Sequence, residues 1–256
     1  MDHWYVSSEG VRLRLQYRRS DRTVPSGSRP DPVLLIHGMG ADHRTWAGTA
    51  HALRHAGHDT LTYDQRGHGR SGRSPDYLLD DLAADAERVV AAAGMDRLAV
   101  VGHSLGGQTA LRLAWRRPEL VSNLVLEEIP PMPLSLDQVH SPADLPLTPR
   151  RILLGAKQVV ESPGAVLRYD RAVHDRVLPQ FVVDSAWWER LRRTPQRTLV
   201  ISGGPGDFLR PEYLRMVADA MPDARYAELS GGHTVHRESP SAFRRLLLDF
   251  LDGTPS

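Results

Sequence analysis

The chain contains no cysteine among its 256 residues. Disulfide bonds, thiolate zinc sites and a cysteine nucleophile are therefore excluded. Lysine is almost missing as well, because Lys157 is the only lysine among the 32 basic residues. The basic residues are balanced by 31 acidic ones, so no excess charge predicts nucleic acid or an anionic membrane as the main partner.

Long apolar segments are absent too. No stretch approaches the roughly 18 consecutive apolar residues that a membrane-spanning helix needs. The sequence starts with MDHWY, which lacks the basic patch and apolar run of a signal peptide. We therefore expect no membrane span and a cytoplasmic location.

Short apolar runs alternate with longer amphipathic stretches, which is typical of βα units around a parallel sheet. The length fits one large α/β domain or two small ones. Residues 11–15 alternate in polarity with a period of two and predict an antiparallel edge strand. The core strands are predicted at 33–36, 59–63, 98–101, 121–126, 198–202 and 225–229. The helices around them are predicted at 43–55, 77–93, 104–117, 210–220 and 241–251.

The alternation breaks between residues 130 and 195, where prolines and arginines are frequent and strand signals are weak. Such a segment is too long for an ordinary loop. It predicts a helical cap inserted after the sixth strand, with short helices at 135–139, 149–161, 162–173 and 184–193. The α/β core then comprises residues 1–129 and 196–256, and the cap comprises residues 130–195.

One pentapeptide, GHSLG at residues 102–106, predicts a nucleophile. It lies between an apolar strand and a predicted helix, and a further glycine, Gly107, follows it. In this context the glycines flank a tight, strained turn that exposes the hydroxyl of Ser104 above the sheet. The same turn directs the Leu105 N–H and the positive end of the helix at a reacting carbonyl. An ordinary glycine turn with a capping serine would need neither the strand nor the extra glycine.

A serine hydroxyl needs a base at neutral pH, and an imidazole oriented by a carboxylate serves best. Two glycines precede His233 in the loop after the last predicted strand, and they suit a loop that delivers an imidazole to the edge of the sheet. We therefore predict His233 as the base. His236 lies nearer the polar start of the last helix and is predicted to form structural hydrogen bonds.

The acid has two candidates. Asp207 follows the strand at 198–202 through a glycine turn, which is the usual placement, and it is the preferred choice. Glu128, at the end of the strand before the cap, is the alternative. Glu127 ranks third, because side-chain alternation turns it the other way.

An oxyanion hole needs a second N–H donor besides that of Leu105. The loop HGMG at residues 37–40 follows the first core strand, and its glycines let the backbone approach a ligand closely. Met39 is the predicted donor.

Together these segments resemble the α/β-hydrolase superfamily, in its esterase, lipase and thioesterase-like branch. The similar segments appear in the order of that family, at 37–40, at 63–71 (YDQRGHGRS), at 102–107, at 204–207 and at 232–233. The resemblance implies an α/β-hydrolase fold, in which a mostly parallel central sheet is flanked by helices. It also implies a serine hydrolase with no metal and no organic cofactor.

Within the resemblance, Asp64, Arg66 and His68 correspond to a structural loop beside the active site and are expected to have no catalytic role. Dehalogenases and epoxide hydrolases carry an aspartate at the position of Ser104, so those two activities are not expected.

The predicted reaction is cleavage of a small carboxylic ester, thioester or lactone through an acyl-enzyme. The substrate is expected to be a small molecule with an apolar portion, because apolar side chains are candidates to line its pocket. The candidates are Trp46, Pro131, Met132, Trp187 and Trp188. Two alternatives stay open: a non-hydrolytic lyase, cyclase or dehydratase acting on a biosynthetic intermediate, and a ligand-binding receptor of the same fold. The sequence carries no signal for an oligomeric state.

Overall fold

The computed structural model describes residues 2–22, 29–135, 163–205 and 209–253. An eight-stranded sheet forms the centre of this part of the chain, with the spatial order β1-β2-β4-β3-β5-β6-β7-β8. The second strand pairs antiparallel with both of its neighbours, β1 and β4, and all other neighbours pair parallel. The strands are β1 (Asp2–Ser8), β2 (Val11–Arg18), β3 (Val33–Ile36), β4 (Thr60–Tyr63), β5 (Leu98–His103), β6 (Val121–Glu127), β7 (Arg197–Ser202) and β8 (Ala224–Glu228). This arrangement confirms the predicted mostly parallel sheet.

Helices cover both faces of the sheet, because successive residues of each buried strand point to opposite sides. The helices are α1 (Ala47–Ala56), α2 (Leu79–Ala92), α3 (Leu105–Arg116), α4 (Pro163–Arg168), α5 (Ala172–Val177), α6 (Ser185–Leu191), α7 (Pro211–Ala220), α8 (Val235–Glu238) and α9 (Pro240–Leu251). Leu34 and Ile36 pack into one apolar cluster with α2, α3 and α7, whereas Val33 and Leu35 pack into a second cluster with α1 and α9. None of the described helices is long and apolar enough to cross a membrane.

An N-terminal hairpin corrects one prediction from the sequence. The segment at 11–15 belongs to β2, which is not an edge strand, because β1 pairs with it on its outer side. The hairpin turns through Glu9 and Gly10, both with positive φ (50° and 81°), as the tight two-residue turns favoured in hairpins require. The sequence signal of β1 was weak because its apolar residues, Trp4 and Val6, are only partly buried.

The insertion between β6 and β7 contains α4, α5 and α6 within the described residues. The single helix predicted at 162–173 is in fact two, because the chain turns at Asp170. The backbone N–H of Asp170 donates to Gly67 O (2.8 Å). The Asp170 side chain accepts from the backbone N–H of Ala172 (3.1 Å), the first residue of α5. The helix predicted at 149–161 and most of the one at 135–139 lie outside the described residues. The domain boundaries at 129/130 and 195/196 stay predictions.

Candidate active site

Ser104 occupies a strained turn between β5 and α3. Its φ of 51° and ψ of −116° lie in a region that side-chain-bearing residues rarely adopt. Two glycines make the turn possible: a Cβ on Gly102 would overlap the Gly106 carbonyl, and one on Gly106 would overlap the Ile36 carbonyl. The Ser104 N–H donates to Glu127 O at 2.9 Å, which fixes the turn against the end of β6.

His233 reaches Ser104 from the loop after β8. Its Nε2 lies 3.0 Å from Ser104 Oγ, and its Nδ1 lies 3.2 Å from Glu128 Oε2. With the proton on Nδ1, the imidazole donates to the carboxylate and accepts from the serine hydroxyl. A hydroxyl, an imidazole and a carboxylate are thus aligned in the order that nucleophilic catalysis by serine requires.

The carboxylate in this line belongs to Glu128, the alternative candidate from the sequence analysis. Glu128 follows β6 directly with a positive φ of 49°, and it is 98% buried, with only 2% of its surface exposed. Its Oε1 accepts from the backbone N–H of Gly203 at 2.7 Å, and its own N–H donates to Ile201 O at 2.9 Å. Both contacts are with the end of β7, so the carboxylate is fixed from the neighbouring strand. Asp207, the preferred candidate, lies outside the described residues.

The two predicted oxyanion donors lie on segments that contact the serine turn. A Cβ on Gly38 would come within 3.2 Å of Ser104 Cβ, so the loop at 37–40 passes directly beside the nucleophile. Leu105 begins α3, whose first backbone N–H groups have no partner within the helix. Met39 is half-buried and packs against the apolar cluster around Leu105. The role of both N–H groups as oxyanion donors stays a prediction.

A second hydroxyl–imidazole–carboxylate set lies beside the first. The His236 ring places Nδ1 2.7 Å from Glu127 Oε2 and Nε2 2.7 Å from Thr45 Oγ1, and the His236 backbone N–H donates to Glu127 Oε1 at 2.8 Å. Burial raises the pKa of Glu127 to about 7 and lowers the pKa of His236 to about 3. The neutral imidazole is therefore favoured, in agreement with the structural role predicted for His236.

Trp46, one of the residues predicted to line the substrate pocket, packs against this second set. Its side chain is fully buried and stacks on His236 with ring centroids 4.1 Å apart, and its contact with a substrate stays a prediction. The ring of Phe243 in α9 lies 6.0 Å from the Trp46 ring and 6.0 Å from the His236 ring. The indole is therefore part of the core cluster of α1 and α9, because the short 3₁₀ helix His43–Trp46 turns it inward.

His103, the residue before the nucleophile, is a functional candidate that the sequence did not single out. Its Nε2 donates to the backbone carbonyl of His233 at 2.6 Å, and its ring lies 4.9 Å from the His233 ring. Burial lowers the pKa of His103 to about 3. The only related pattern in the sequence concerns its neighbours: two adjacent glutamates, Glu127 and Glu128, pair with two histidines three residues apart, His236 and His233.

The segment YDQRGHGRS forms the structural loop that the resemblance implies. Burial opposes ionisation of Asp64, but its hydrogen bonds from His43, and from the backbone N–H of Arg70 at 2.9 Å, hold the pKa of its carboxyl well below the ordinary value. Arg66 forms a bidentate pair with Asp85 at 2.6 and 2.8 Å. Gln65 connects the loop to the Ser104 site, since its side chain donates to His37 O at 2.6 Å.

Three of the predicted lining residues, Met132, Trp187 and Trp188, are buried in one apolar cluster with Leu105. Trp187 donates its indole N–H to Gln108 Oε1 at 3.3 Å, and Trp188 donates to Met132 O at 3.0 Å. These bonds attach α6 to the core beside the nucleophile turn. Pro131 is half-buried next to Met132. Their contact with a substrate stays a prediction.

Two groups of side chains have the spacing of metal ligands within the described residues. In the first, formed by Asp42, His43 and Asp64, an arginine lies beside each of the two carboxylates. Arg44 binds Asp42 through Nε at 3.0 Å, and Arg14 Nη1 lies 4.0 Å from Asp64. The second group is Asp21, His51 and His55, which are all exposed.

The comparison with protein families matches residues 31–176 to the family described as the α/β-hydrolase fold. The chain is 26% identical to the mouse sn-1-specific diacylglycerol lipase ABHD11, over 90% of this chain and 82% of the lipase. It is 30% identical to a putative carbamate hydrolase, RutD, of Caulobacter segnis, over 86% of this chain and 91% of that protein. The crystal structure of a hydrolase from Pseudomonas aeruginosa is similar in fold, with a TM-score of 0.78, 24% identity and 98% of each chain covered.

Proposed function

The chain belongs to the α/β-hydrolase family and is a hydrolase of that fold, and from this premise we propose that it cleaves a small carboxylic ester, thioester or lactone through an acyl-enzyme on Ser104. The proposal depends on one observation above all, the 3.0 Å contact between Ser104 Oγ and His233 Nε2. A positioned base within hydrogen-bonding distance of a hydroxyl is what turns that hydroxyl into a nucleophile.

In the proposed mechanism, Ser104 Oγ attacks the carbonyl carbon while its proton moves to His233 Nε2. Glu128 stabilises the imidazolium that forms, and the N–H groups of Met39 and Leu105 hold the oxyanion. The leaving group takes the proton from His233 and departs, which leaves the acyl group on Ser104. Water then attacks the acyl carbon with His233 as the base. His233 returns the proton to Ser104 Oγ as the carboxylic acid product leaves.

The proposal that Glu128 is the acid is supported by its burial and by its two contacts with the end of β7. A carboxylate fixed from a neighbouring strand loses little entropy when it orients an imidazole. The positive end of α3 supports the oxyanion hole, since helix N-termini favour negative charge. Each oxyanion donor is worth about 3 kcal/mol of activation free energy in enzymes of this kind.

An apolar acyl group is supported by the cluster that surrounds the nucleophile turn. Leu105, Met132, Trp187 and Trp188 belong to one continuous apolar cluster. The relatives named as a lipase and as a putative carbamate hydrolase support a hydrolytic reaction at a carbonyl group.

The test is covalent labelling. The protein and its Ser104→Ala variant are incubated with a fluorophosphonate, and their intact masses are measured. We expect one adduct on the unchanged protein and none on the variant. In a second assay, the unchanged protein should hydrolyse p-nitrophenyl esters, which are tested in order of increasing chain length. The absence of an adduct on a folded protein would refute the acyl-enzyme and favour a lyase, a cyclase, a dehydratase or a ligand-binding receptor.

A further inference from the structure

Two histidines and an aspartate meet on the surface beside α1, separate from the residues around Ser104. His51 and His55 lie one helical turn apart, and Asp21 approaches them from the connection after β2. One candidate ligand atom from each of the three lies within 4.8 Å of the other two. The imidazole rings have centroids 4.1 Å apart, and Asp21 Oδ2 lies 2.9 Å from His55 Nδ1.

Backbone contacts hold the aspartate in this position. The Asp21 N–H donates to Arg54 O at 3.2 Å, and the preceding Ser20 donates its N–H to Asp59 Oδ1 at 2.7 Å. The connection is therefore fixed at the C-terminal end of α1, where the helix dipole favours positive charge.

We propose that Asp21, His51 and His55 bind a divalent transition-metal ion of the zinc class. Two imidazole nitrogens and one carboxylate oxygen match the donor set that Zn²⁺ prefers, and water can complete a tetrahedral site. Ni²⁺ and Cu²⁺ also bind imidazole pairs well, so they serve as probes. The exposed side chains can move by the small distance that bonds of about 2 Å require. The ion joins the connection after β2 to α1.

One competing interaction limits the expected affinity. Arg54 Nε lies 3.7 Å from the same Asp21 oxygen, so the carboxylate is partly neutralised before metal binds. The histidines are thus the stronger part of the site, and loss of either should weaken binding more than loss of the carboxylate charge.

The experiment titrates metal-free protein with Zn²⁺, and separately with Ni²⁺, by calorimetry and by thermal unfolding. The variants are His51→Ala, His55→Ala and Asp21→Asn. The matched control is His174→Ala, since His174 is also exposed and lies 3.0 Å from an aspartate, Asp175, but belongs to no such group.

One saturable site should appear on the unchanged protein and on the control, and each histidine variant should weaken it about tenfold or more, equal to about 1.4 kcal/mol. Equal affinity in the His51→Ala/His55→Ala double variant would overturn the proposal. So would the lack of saturable binding below about 1 mM. A His233→Ala variant must keep the site, which separates it from adventitious binding at the Ser104 set.

A second inference comes from the buried set formed by Glu127, His236 and Thr45. The two glutamates are adjacent in β6 and its end, and they bind two histidines that are three residues apart in the loop after β8. One carboxylate accepts both the ring N–H and the backbone N–H of His236, so it fixes the backbone of the loop as well as the side chain.

We infer that Glu127, His236 and His103 are positioning residues that hold His233 against Ser104; this inference rests on the proposed function. His103 holds the loop at the His233 carbonyl, and Glu127 holds it three residues later. The backbone is therefore bound at the His233 carbonyl and again at His236, and the His233 imidazole has little freedom to leave the serine. Enzymes gain much of their rate from this kind of restriction, and small displacements of a base are costly.

The experiment measures ester turnover and fluorophosphonate labelling for His236→Ala, Glu127→Gln and His103→Gln, well below each variant's unfolding temperature. We expect His236→Ala to lower kcat about tenfold or more while KM changes little. His236→Asn, whose amide can still donate to Glu127, should recover part of the loss.

An unchanged kcat in folded His236→Ala and His103→Gln would refute the positioning role and leave only a contribution to stability. This outcome differs from failure of the proposed function, in which the unchanged protein itself would neither label nor turn over esters.

Discussion

Nδ1 of His233 lies 3.2 Å from Oε2 of Glu128, a residue that directly follows the last strand before the insertion. The proposed acid therefore follows β6 and the proposed base lies in the loop after β8. Gly203, directly after β7, supplies the N–H that fixes the carboxylate. This contact predicts that a substitution of Glu128 will change the rate of hydrolysis.

Glu128→Gln keeps the shape of the side chain and removes its charge. We expect kcat for ester hydrolysis to fall by about 10³-fold or more, because the imidazolium formed during the reaction loses its carboxylate. Asp207→Asn is the matched variant and should cause a much smaller loss. If the Asp207 variant is the inactive one and Glu128→Gln retains its rate, the acid is Asp207.

The strain at Ser104 predicts an unusual order of stability. Glycine is normally less stable than alanine by about 0.5–1 kcal/mol, but a positive φ reverses this preference. The free energy of unfolding of Ser104→Gly should therefore exceed that of Ser104→Ala by about 1 kcal/mol, so Ser104→Gly should unfold at a higher temperature, and both should be inactive. The control is Ala84→Gly in the middle of α2, which should lower the unfolding temperature.

Gly38→Ala tests the approach of the loop at 37–40 to the nucleophile. The added Cβ would lie 2.6 Å from His103 Nδ1, so the loop or the imidazole must move. We expect activity to fall about 10²-fold, because an oxyanion donor on this loop would be displaced. Gly48→Ala is the control, since its Cβ meets only the flexible end of Arg244 and activity should survive.

The buried histidines predict a loss of stability in acid. Burial lowers the pKa of His68, His103 and His236 from 6.5 to about 3, so below pH 6.5 the unfolded chain binds protons that the folded chain does not. Glu127 acts in the opposite direction, because burial raises its pKa from 4.5 to about 7 and the folded chain keeps that proton. The effect of three histidines is larger than that of one glutamate. The midpoint temperature of thermal unfolding should therefore decrease as the pH is lowered from 6.5 towards 4.

The contribution of one histidine to this slope can be measured. His103→Gln should make the dependence of unfolding free energy on pH shallower, by up to about 1.4 kcal/mol per pH unit. His174→Gln, at an exposed position, should leave the slope unchanged. A slope that is identical in all three proteins would show that His103 does not remain neutral in the folded state.

The proposed nucleophile and base are marked more clearly in the sequence than the proposed acid, for a physical reason. Gly102 and Gly106 lie on either side of Ser104, and Gly231 and Gly232 precede His233, so local sequence marks both positions. The choice between Glu128 and Asp207 depends on how β6, β7 and the last loop meet, which no local pattern encodes. The stacking of Trp46 on His236 has the same origin, because local sequence does not show which way the 3₁₀ turn at 43–46 directs the indole.

Side-chain alternation nevertheless predicted part of the surroundings. Glu127 faces the layer of Trp46 and Phe243, as its parity in β6 requires, whereas the positive φ of Glu128 carries the next carboxylate towards Ser104. The pairing of Glu127 with His236 could have been anticipated from the spacing of the two histidines, but only once the strand order was known.

The proposed catalytic groups are also far apart in the chain, since 129 residues separate Ser104 from His233 and 105 separate Glu128 from His233. His233 also follows β8, the last strand of the sheet, so a chain being synthesised carries Ser104 before its proposed base exists. The proposed hydrolysis would then begin only once the last loop has folded, and partly folded chains could not hydrolyse the esters around them.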